Sequence, residues 1–424
     1  MTLLLMIATL LLMLALRVPA AIALLVPSLV YVLLDSAVGL GTAAQQTMSG
    51  VNTFPLLAVP LFILMGNIAN VSGISERLFD AATAIFGRIR GSLGYVNIFT
   101  SFSFAWMSGA AISDAAAMGR VQVPAMLKRG YPTGFTLGLT ASSSLIAPIL
   151  PPSIPAIIYA VTAGVSIGAL FVAGIVPALI LVFALSLVVF FAVRKRDDLG
   201  LKKVSGRERW IPVLAALPGF GVAVIVLGGI LGGIFTPTEA AGVAVLYMLL
   251  LACCYRTMGW SNLRRVMTNT VETGGSVLLI VCAASLFGWV LSREQAPQAA
   301  AALILEVTTH PIVFLLLLNV MLLVIGAVLE PTAAILILVP VLSPVATMFG
   351  LDPLHVAMIV IFNLMLGLLT PPVGLVLYVL SSVTEFSVAT VIRGVLPFYS
   401  VLLGVLGLIT FFPFFSTWLP SIIS

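Results

Sequence analysis

Apolar residues run through this chain from end to end, in blocks long enough to cross a bilayer. A spanning helix takes about 20 mainly apolar residues, and 166–193, 273–291 and 395–418 are clear examples. Polar positions are confined to short breaks, and no long polar segment remains for a soluble domain. The pattern predicts an all-α polytopic membrane protein. The chain begins directly with an apolar run that lacks a basic leader, so that run reads as a first span rather than a cleaved signal peptide.

Two blocks do not read as single crossings. Residues 91–127 are apolar, yet Arg88 and Arg90 precede them and Lys128 and Arg129 follow. One crossing cannot leave both ends on the basic, cytoplasmic side, and two would need about 40 residues plus a turn. The block is predicted as a re-entrant hairpin turning near Ser108-Gly109, where glycine permits the turn. Residues 311–349 behave the same way from the opposite side, turning between Gly326 and Thr332. Pro331 suits the first position of the returning helix, where its missing N–H costs nothing. Non-helical backbone at membrane depth persists only where it is buried in protein or lines a wet cavity. Paired hairpins therefore point to a solvated internal site.

Each hairpin is followed by an apolar segment broken at paired prolines, Pro151-Pro152 and Pro371-Pro372, which should unwind the helix at its middle. Pro124 and Pro344, Gly130 and Gly350, and Pro151 and Pro371 all lie 220 positions apart. Val18-Pro19-Ala20-Ala21 resembles the stretch Thr236 to Ala241 at a nearby shift. The chain is thus predicted to hold an inverted repeat. Residues 1–200 form the first unit: scaffold span, arm helix, hairpin 91–127, broken helix 133–163 and span 166–193. Residues 201–235 form a cytoplasmic linker and connecting span. Residues 236–424 form the second unit: scaffold spans, arm helix, hairpin 311–349, broken helix 354–384 and a last span. Inverted repeats with discontinuous helices mark secondary transporters that bind substrate and ions near the midplane.

Composition narrows the picture. The chain of 424 residues is 61% hydrophobic and 8% charged, against roughly 25% charged in soluble domains. The +5 net charge comes from 19 Lys and Arg against 14 Asp and Glu. The basic residues lie between apolar blocks, so they report topology in a lipid bilayer, and no nucleic-acid partner is expected. The loop from Arg194 to Arg209 should be cytoplasmic, as should Arg256, Arg264 and Arg265. Between Glu294 and Ile392 there is no Lys or Arg, so that stretch should face outward. The count is about nine crossings plus two hairpins, with the N-terminus cytoplasmic and the C-terminus outside.

The segment Ile74–Arg90 is amphipathic and should lie on the cytoplasmic surface as an arm, with 295–309 as its outer partner. His310 and His355 lie near the hairpin bases, which suggests surface roles. Cys253, Cys254 and Cys282 sit in apolar runs without metal or redox spacing and read as small buried residues. No phosphate-binding loop, zinc-protease motif or nucleophile elbow occurs, so the chain is not expected to be an enzyme or to be driven directly by ATP.

The hairpin tips and unwound prolines should meet in the middle. Their carbonyls suit Na⁺, and helix N-termini there suit carboxylates. Hydroxyls come from Ser108, Ser113, Ser143, Ser144, Ser153, Thr332 and Thr370, and an amide from Asn363. Such groups also serve as interhelical hydrogen bonders. Acids at this depth are costly, which singles out Asp114 and Glu330. Asp114 suits either a cation ligand or a cap on its own helix. Arg120, about 16 Å past the tip at 1.5 Å per residue, fits local pairing or snorkelling as well as substrate contact. The substrate candidates are Asp114, Ser143, Ser153, Asn363 and Arg120.

Five stretches together resemble a known family. They are Leu57 to Gly66, Met107-Ser-Gly-Ala-Ala111, Leu150-Pro-Pro-Ser-Ile154, Gly232 to Ala241 and Gly367-Leu-Leu-Thr-Pro-Pro-Val-Gly374. In order, they look like the large membrane subunit of the tripartite ATP-independent periplasmic (TRAP) transporters, over almost the whole chain. The resemblance implies an elevator mechanism in the bacterial inner membrane, coupling to at least two Na⁺, and import of an organic acid such as a C4-dicarboxylate or sialic acid. It implies two partners: a periplasmic substrate-binding protein and a small membrane subunit of about four helices, expected here as a separate chain. One ion site would use Ser108, Gly109, Ser113 and the Ser144–Pro151 backbone, including Pro148. The other would use Gly326, Glu330, Thr332, Gly367 and Thr370. Two departures stand out: Glu330 replaces the usual Asp, and the first tip reads Ser-Gly-Ala-Ala rather than Ser-Gly-Ser-Ser. The competing readings are a stand-alone ion-coupled carboxylate transporter of similar architecture and a passive channel component.

Overall fold

The computed structural model describes residues 2–16, 18–35, 38–194 and 210–423. Every regular element among them is helical. The first hairpin pairs Ser92–Ser108 with Ala111–Lys128. Gly109 sits at the turn with φ +61, and a Cβ there would lie 2.4 Å from the Pro152 carbonyl oxygen. Only glycine combines that backbone with that approach. The second hairpin pairs Pro311–Gly326 with Pro331–Met348, with Pro331 in the first helical position.

The proline pairs interrupt their helices as chemistry dictates. Thr133–Ser143 tightens into a 3-10 turn, Ser144–Ile146, and helix resumes at Ile154–Ala163. Pro353–Gly367 resumes as Leu375–Thr384. The two halves make equivalent contacts. The Ile154 N–H donates to the Gly109 carbonyl at 3.4 Å, and the Val373 N–H donates to the Ala327 carbonyl at 3.2 Å. Each hairpin's second arm packs on the other half's broken helix: Ala111–Lys128 on Leu375–Thr384, and Pro331–Met348 on Ile154–Ala163. The hairpins and broken helices are therefore interlocked in one body. Val388–Phe411 closes against Thr133–Ser143, where a Cβ at Gly138 would lie 2.1 Å from the Gly394 carbonyl oxygen.

Beside this body stands a frame. Ala20–Leu34, Leu40–Val51 and Ala58–Val71 pack along Trp260–Arg293, whose 34 residues span about 51 Å at 1.5 Å per residue. At one end Arg293 pairs with Asp35 at 3.1 Å, and the Tyr31 hydroxyl donates to Glu294. Pro237–Cys254 packs on Ala58–Val71 and starts with a capping box between Thr236 and Glu239. The arm helix, Ile74–Phe86, buries Ile74, Leu78 and Ala82 and lies against Trp210–Ala223. Its Arg77 guanidinium stacks 3.7 Å from the Tyr255 ring centroid. Its counterpart in the second half, Ala296–Val307, meets Pro311–Gly326 at a bend of 116°.

Several sequence expectations meet a different arrangement. Among the described residues seven helices are long and apolar enough to span, and one of them is the hairpin arm Pro331–Met348. Cys253 and Cys254 are exposed, not buried. Ala252 faces inward and the next two positions turn away from the core. An apolar run in a membrane chain does not distinguish its lipid face from its packed face. His355 is not a surface residue: it is 1% exposed, with Nε2 3.2 Å from the Thr410 carbonyl oxygen. The basic loop lies outside the described residues from Lys195 to Arg209.

Candidate functional site

A cavity of about 300 Å³ lies where both hairpin tips meet the frame. The first tip contributes Ser108 and Ala110 to Ser113, and the second contributes Glu330, Pro331 and Thr332. Pro148, Ile154 and Pro155 close it from the first broken helix, and Met365 and Leu368 from the second. The frame supplies Gly66, Asn67 and Asn70 from one helix, and Thr273 and Val277 from the long one. Three helix N-termini therefore converge here: Ala111–Lys128, Ile154–Ala163 and Pro331–Met348. Each brings the partial positive charge of a helix N-terminus.

The three ends differ in what covers them. Ser153 caps Ile154–Ala163 by accepting from the Ala156 N–H at 3.1 Å, while its hydroxyl donates to the Pro148 carbonyl. Ser153 thus closes the unwound loop. Glu330 caps Pro331–Met348, accepting from the Ala333 N–H at 3.1 Å and the Thr332 hydroxyl at 2.7 Å. Ala111–Lys128 has no side-chain cap. The capping alternative for Asp114 is accordingly not what the structure contains. Its carboxylate is fully buried, and neither oxygen makes a hydrogen bond. The Ser101 side chain lies beside it. The Ser108 hydroxyl, 3% exposed, also lacks a partner.

Other candidates are committed to packing. The Ser113 hydroxyl accepts from the Asn70 amide at 2.8 Å, joining hairpin to frame. The Ser143 hydroxyl donates to Asn97 Oδ1 at 2.8 Å, and the Asn363 amide donates to Asn319. Both pairs join a hairpin's first arm to its broken helix, so Ser143 and Asn363 lie at equivalent anchors behind the cavity wall. Ser144 donates to the Ala141 carbonyl at 2.8 Å, and Thr370 to the Leu366 carbonyl at 2.9 Å. Gly326 and Gly367 form a backbone crossing, where a Cβ on Gly367 would lie 2.2 Å from the Gly326 carbonyl oxygen. Arg120 stands away from the tips, in a second cavity.

Sequence reasoning missed the frame's contribution. Asn67 and Asn70 follow directly on the Leu57 to Gly66 stretch, so the signal was present, but only tertiary packing turns them toward the tips. Gly66 lets that helix approach: a Cβ there would sit 3.2 Å from the Ser108 carbonyl oxygen. The Asn67 amide donates to Thr270 at 3.0 Å, locking the two frame helices together. Tyr399 was missed too. Its hydroxyl lies 3.3 Å from Thr370 Oγ1 and donates to the Leu369 carbonyl, holding the second unwound segment.

At the first tip the Ser108 hydroxyl on the cavity lining and the Asp114 carboxylate, buried and off that lining, both lack partners, and oxygens of these two kinds suit a hard monovalent cation. At the second tip Glu330 keeps lone pairs beyond its two contacts, and Thr332 stands beside it, so those residues fit as well.

A helical membrane carrier with its cavity between two hairpins and a rigid frame is the class this architecture defines. Comparison with known proteins gives the family. Residues 7–415 match the model of the DctM component of the tripartite ATP-independent periplasmic transporters, and the chain belongs to that family. It is 42% identical over 405 residues to the sialic acid TRAP transporter large permease protein SiaM of Vibrio cholerae, covering 95% of each. It is 36% identical over 369 residues to the C4-dicarboxylate large permease protein DctM of Pseudomonas aeruginosa, covering 87% of this chain and 86% of that one. In fold it is similar to the YdaH transporter of Alcanivorax borkumensis, with TM-score 0.62, 18% identity and 90% of each chain covered. Family and relatives are permeases, not enzymes.

Proposed function

We propose that this chain is the large membrane subunit of a Na⁺-coupled importer of an organic acid. A periplasmic substrate-binding protein delivers the acid, and a small membrane subunit completes the complex in the bacterial inner membrane. The observation that carries the reading is the cavity at the joint of both tips and the frame, with an uncapped helix N-terminus at Ala111–Lys128 facing it. The N–H groups of Ala111, Ile112 and Ser113 take a carboxylate as a helix N-terminus takes any anion, and the Asn70 amide approaches from the frame.

Na⁺ supplies the positive charge that lets Asp114 stay ionised at depth. Ser108 and Asp114 hold it at the first tip, and Glu330 with Thr332 at the second. Because hairpins and broken helices are interlocked, they move as one body past the frame, carrying the acid across as an elevator. The amide contacts Asn70–Ser113 and Asn67–Thr270 distinguish the sliding joint from the fixed one.

Uptake by proteoliposomes tests the reading, with the small subunit co-reconstituted and a labelled sialic acid or C4-dicarboxylate loaded on its cognate binding protein. Uptake that requires both an inward Na⁺ gradient and the binding protein is expected. Leak that ignores the gradient would replace this reading with a channel.

A further inference from the structure

A second cavity, of about 310 Å³, adjoins the first. Asn67, Asn70 and Ala116 line both. Its far end holds two arginines from opposite walls: Arg120 on the first hairpin and Arg265 on the long frame helix. The walls are organised along their length. On the hairpin, Ser113 and Ala116 face the central cavity, and Ala116, Ala117 and Arg120 face the second. These spacings of three and four residues lie along one helix face. On the frame, Val277 and Thr273 face the central cavity, and Asn269 and Arg265 the second, a step of four at each point. Two parallel stripes thus run from the uncapped helix N-terminus to the arginine pair. Arg120 lies nine positions beyond Ala111, about 14 Å along the helix at 1.5 Å per residue.

The arginines are free to act on a ligand. Arg120 forms no ion pair or hydrogen bond with any described residue, and its side chain is exposed. Arg265 spends one nitrogen on Asn262 Oδ1 at 3.0 Å, leaving the rest of its guanidinium. Glu76 is the one carboxylate on the lining, so two guanidiniums face one negative charge. Basic residues on this end mark it as cytoplasmic by the positive-inside bias.

We propose that Arg120 and Arg265 form a release-side subsite for the carboxylate of the transported acid. The acid leaves the helix N-terminus at the first tip and is held between the two guanidiniums before entering the cytoplasm. Because one arginine rides on the hairpin and the other on the frame, the subsite is complete only when the body is in the conformation seen here. Moving the hairpin relative to the frame separates the pair and removes the inward path. This subsite rests on the organic-acid reading above.

The test does not use transport. With Cys253, Cys254 and Cys282 replaced by alanine, Asn269→Cys places one thiol on the second cavity's wall. Its modification by the anionic reagent ethylsulfonate methanethiosulfonate is compared with that by the cationic ethyltrimethylammonium analogue, in detergent and in nanodiscs of neutral lipid. A positive cleft concentrates anions, and an anionic-to-cationic rate ratio about tenfold above that of a free thiol is expected. The ratio should collapse in Arg120→Gln/Arg265→Gln and return with Arg120→Lys/Arg265→Lys. Millimolar succinate or N-acetylneuraminate should slow modification of the parent protein and not of the double glutamine variant. A ratio or a protection that survives the double substitution would overturn the subsite. Absence of Na⁺-driven uptake by the unsubstituted protein bears instead on the transport reading, so the two failures are separable.

Discussion

The two hairpin tips share a backbone and differ in charge. Each places a tip carbonyl against the N–H just past a proline pair, Gly109 with Ile154 and Ala327 with Val373. Each then starts a returning helix at the cavity. At the second tip that helix carries its own acid, since Glu330 neutralises the N-terminus and is held by Thr332. At the first tip the N-terminus is bare, and the nearby acid, Asp114, is turned into the protein with no partner. Equivalent backbones thus leave one helix end bare and one that satisfies itself. The asymmetry lies in the position of a carboxylate: at the N-cap in one half, in the first turn in the other.

Forcing the shared backbone apart should have the largest effect. Gly109→Ala puts a Cβ in a left-handed conformation 2.4 Å from the Pro152 carbonyl oxygen, and Gly367→Ala puts one 2.2 Å from the Gly326 carbonyl oxygen. Overpacking of this kind costs about 1–3 kcal/mol. Both variants should lose uptake entirely and melt earlier in a detergent thermal-shift assay.

Asp114→Asn separates the tips next. Without Na⁺ a fully buried carboxyl takes up a proton rather than stay charged, so the neutral amide should leave the melting temperature in Na⁺-free buffer nearly unchanged. It should also remove the first tip's share of the Na⁺-dependent stabilisation, about 2.7 kcal/mol per site at a hundredfold excess over Kd, and leave the second tip's. Lower stability without Na⁺ would mean that Asp114 has a protein partner after all. Glu330→Gln should differ from it in Na⁺-free buffer: weakening an N-cap contact costs about 1 kcal/mol, so the protein should melt earlier. Asn70→Ala is the mildest change. It removes one neutral hydrogen bond to Ser113, about 1 kcal/mol, and should raise the apparent KM for uptake several-fold with little change in melting.

Much of this was legible because it depends on local chemistry. Proline pairs break helices wherever they occur, and Gly109 or Pro331 can be assigned to turns from their own backbones. The shift of 220 positions equates Ser143 with Asn363, and the structure gives them equivalent anchoring contacts with Asn97 and Asn319. What could not be read depends on neighbours distant in sequence. Asn67 and Asn70 become cavity residues only when the frame helix meets the first tip, with Gly66 allowing the approach. His355 lies near a hairpin base in sequence, yet it packs against Thr410, 55 positions later. Whether Asp114 caps its helix or faces inward is a matter of side-chain direction, which spacing alone leaves open.

The contrast between the tips is tested most directly by uptake driven by an inward Na⁺ gradient. The parent protein, Asp114→Asn and Glu330→Gln would be reconstituted side by side with the small subunit and loaded binding protein. The parent should respond steeply to the gradient, and Asp114→Asn should lose that response while remaining folded by its thermal transition. An Asp114→Asn protein that still concentrates the acid with the parent's Na⁺ dependence would contradict the assignment of a coupling cation to the first tip, and with it the contrast between the two tips.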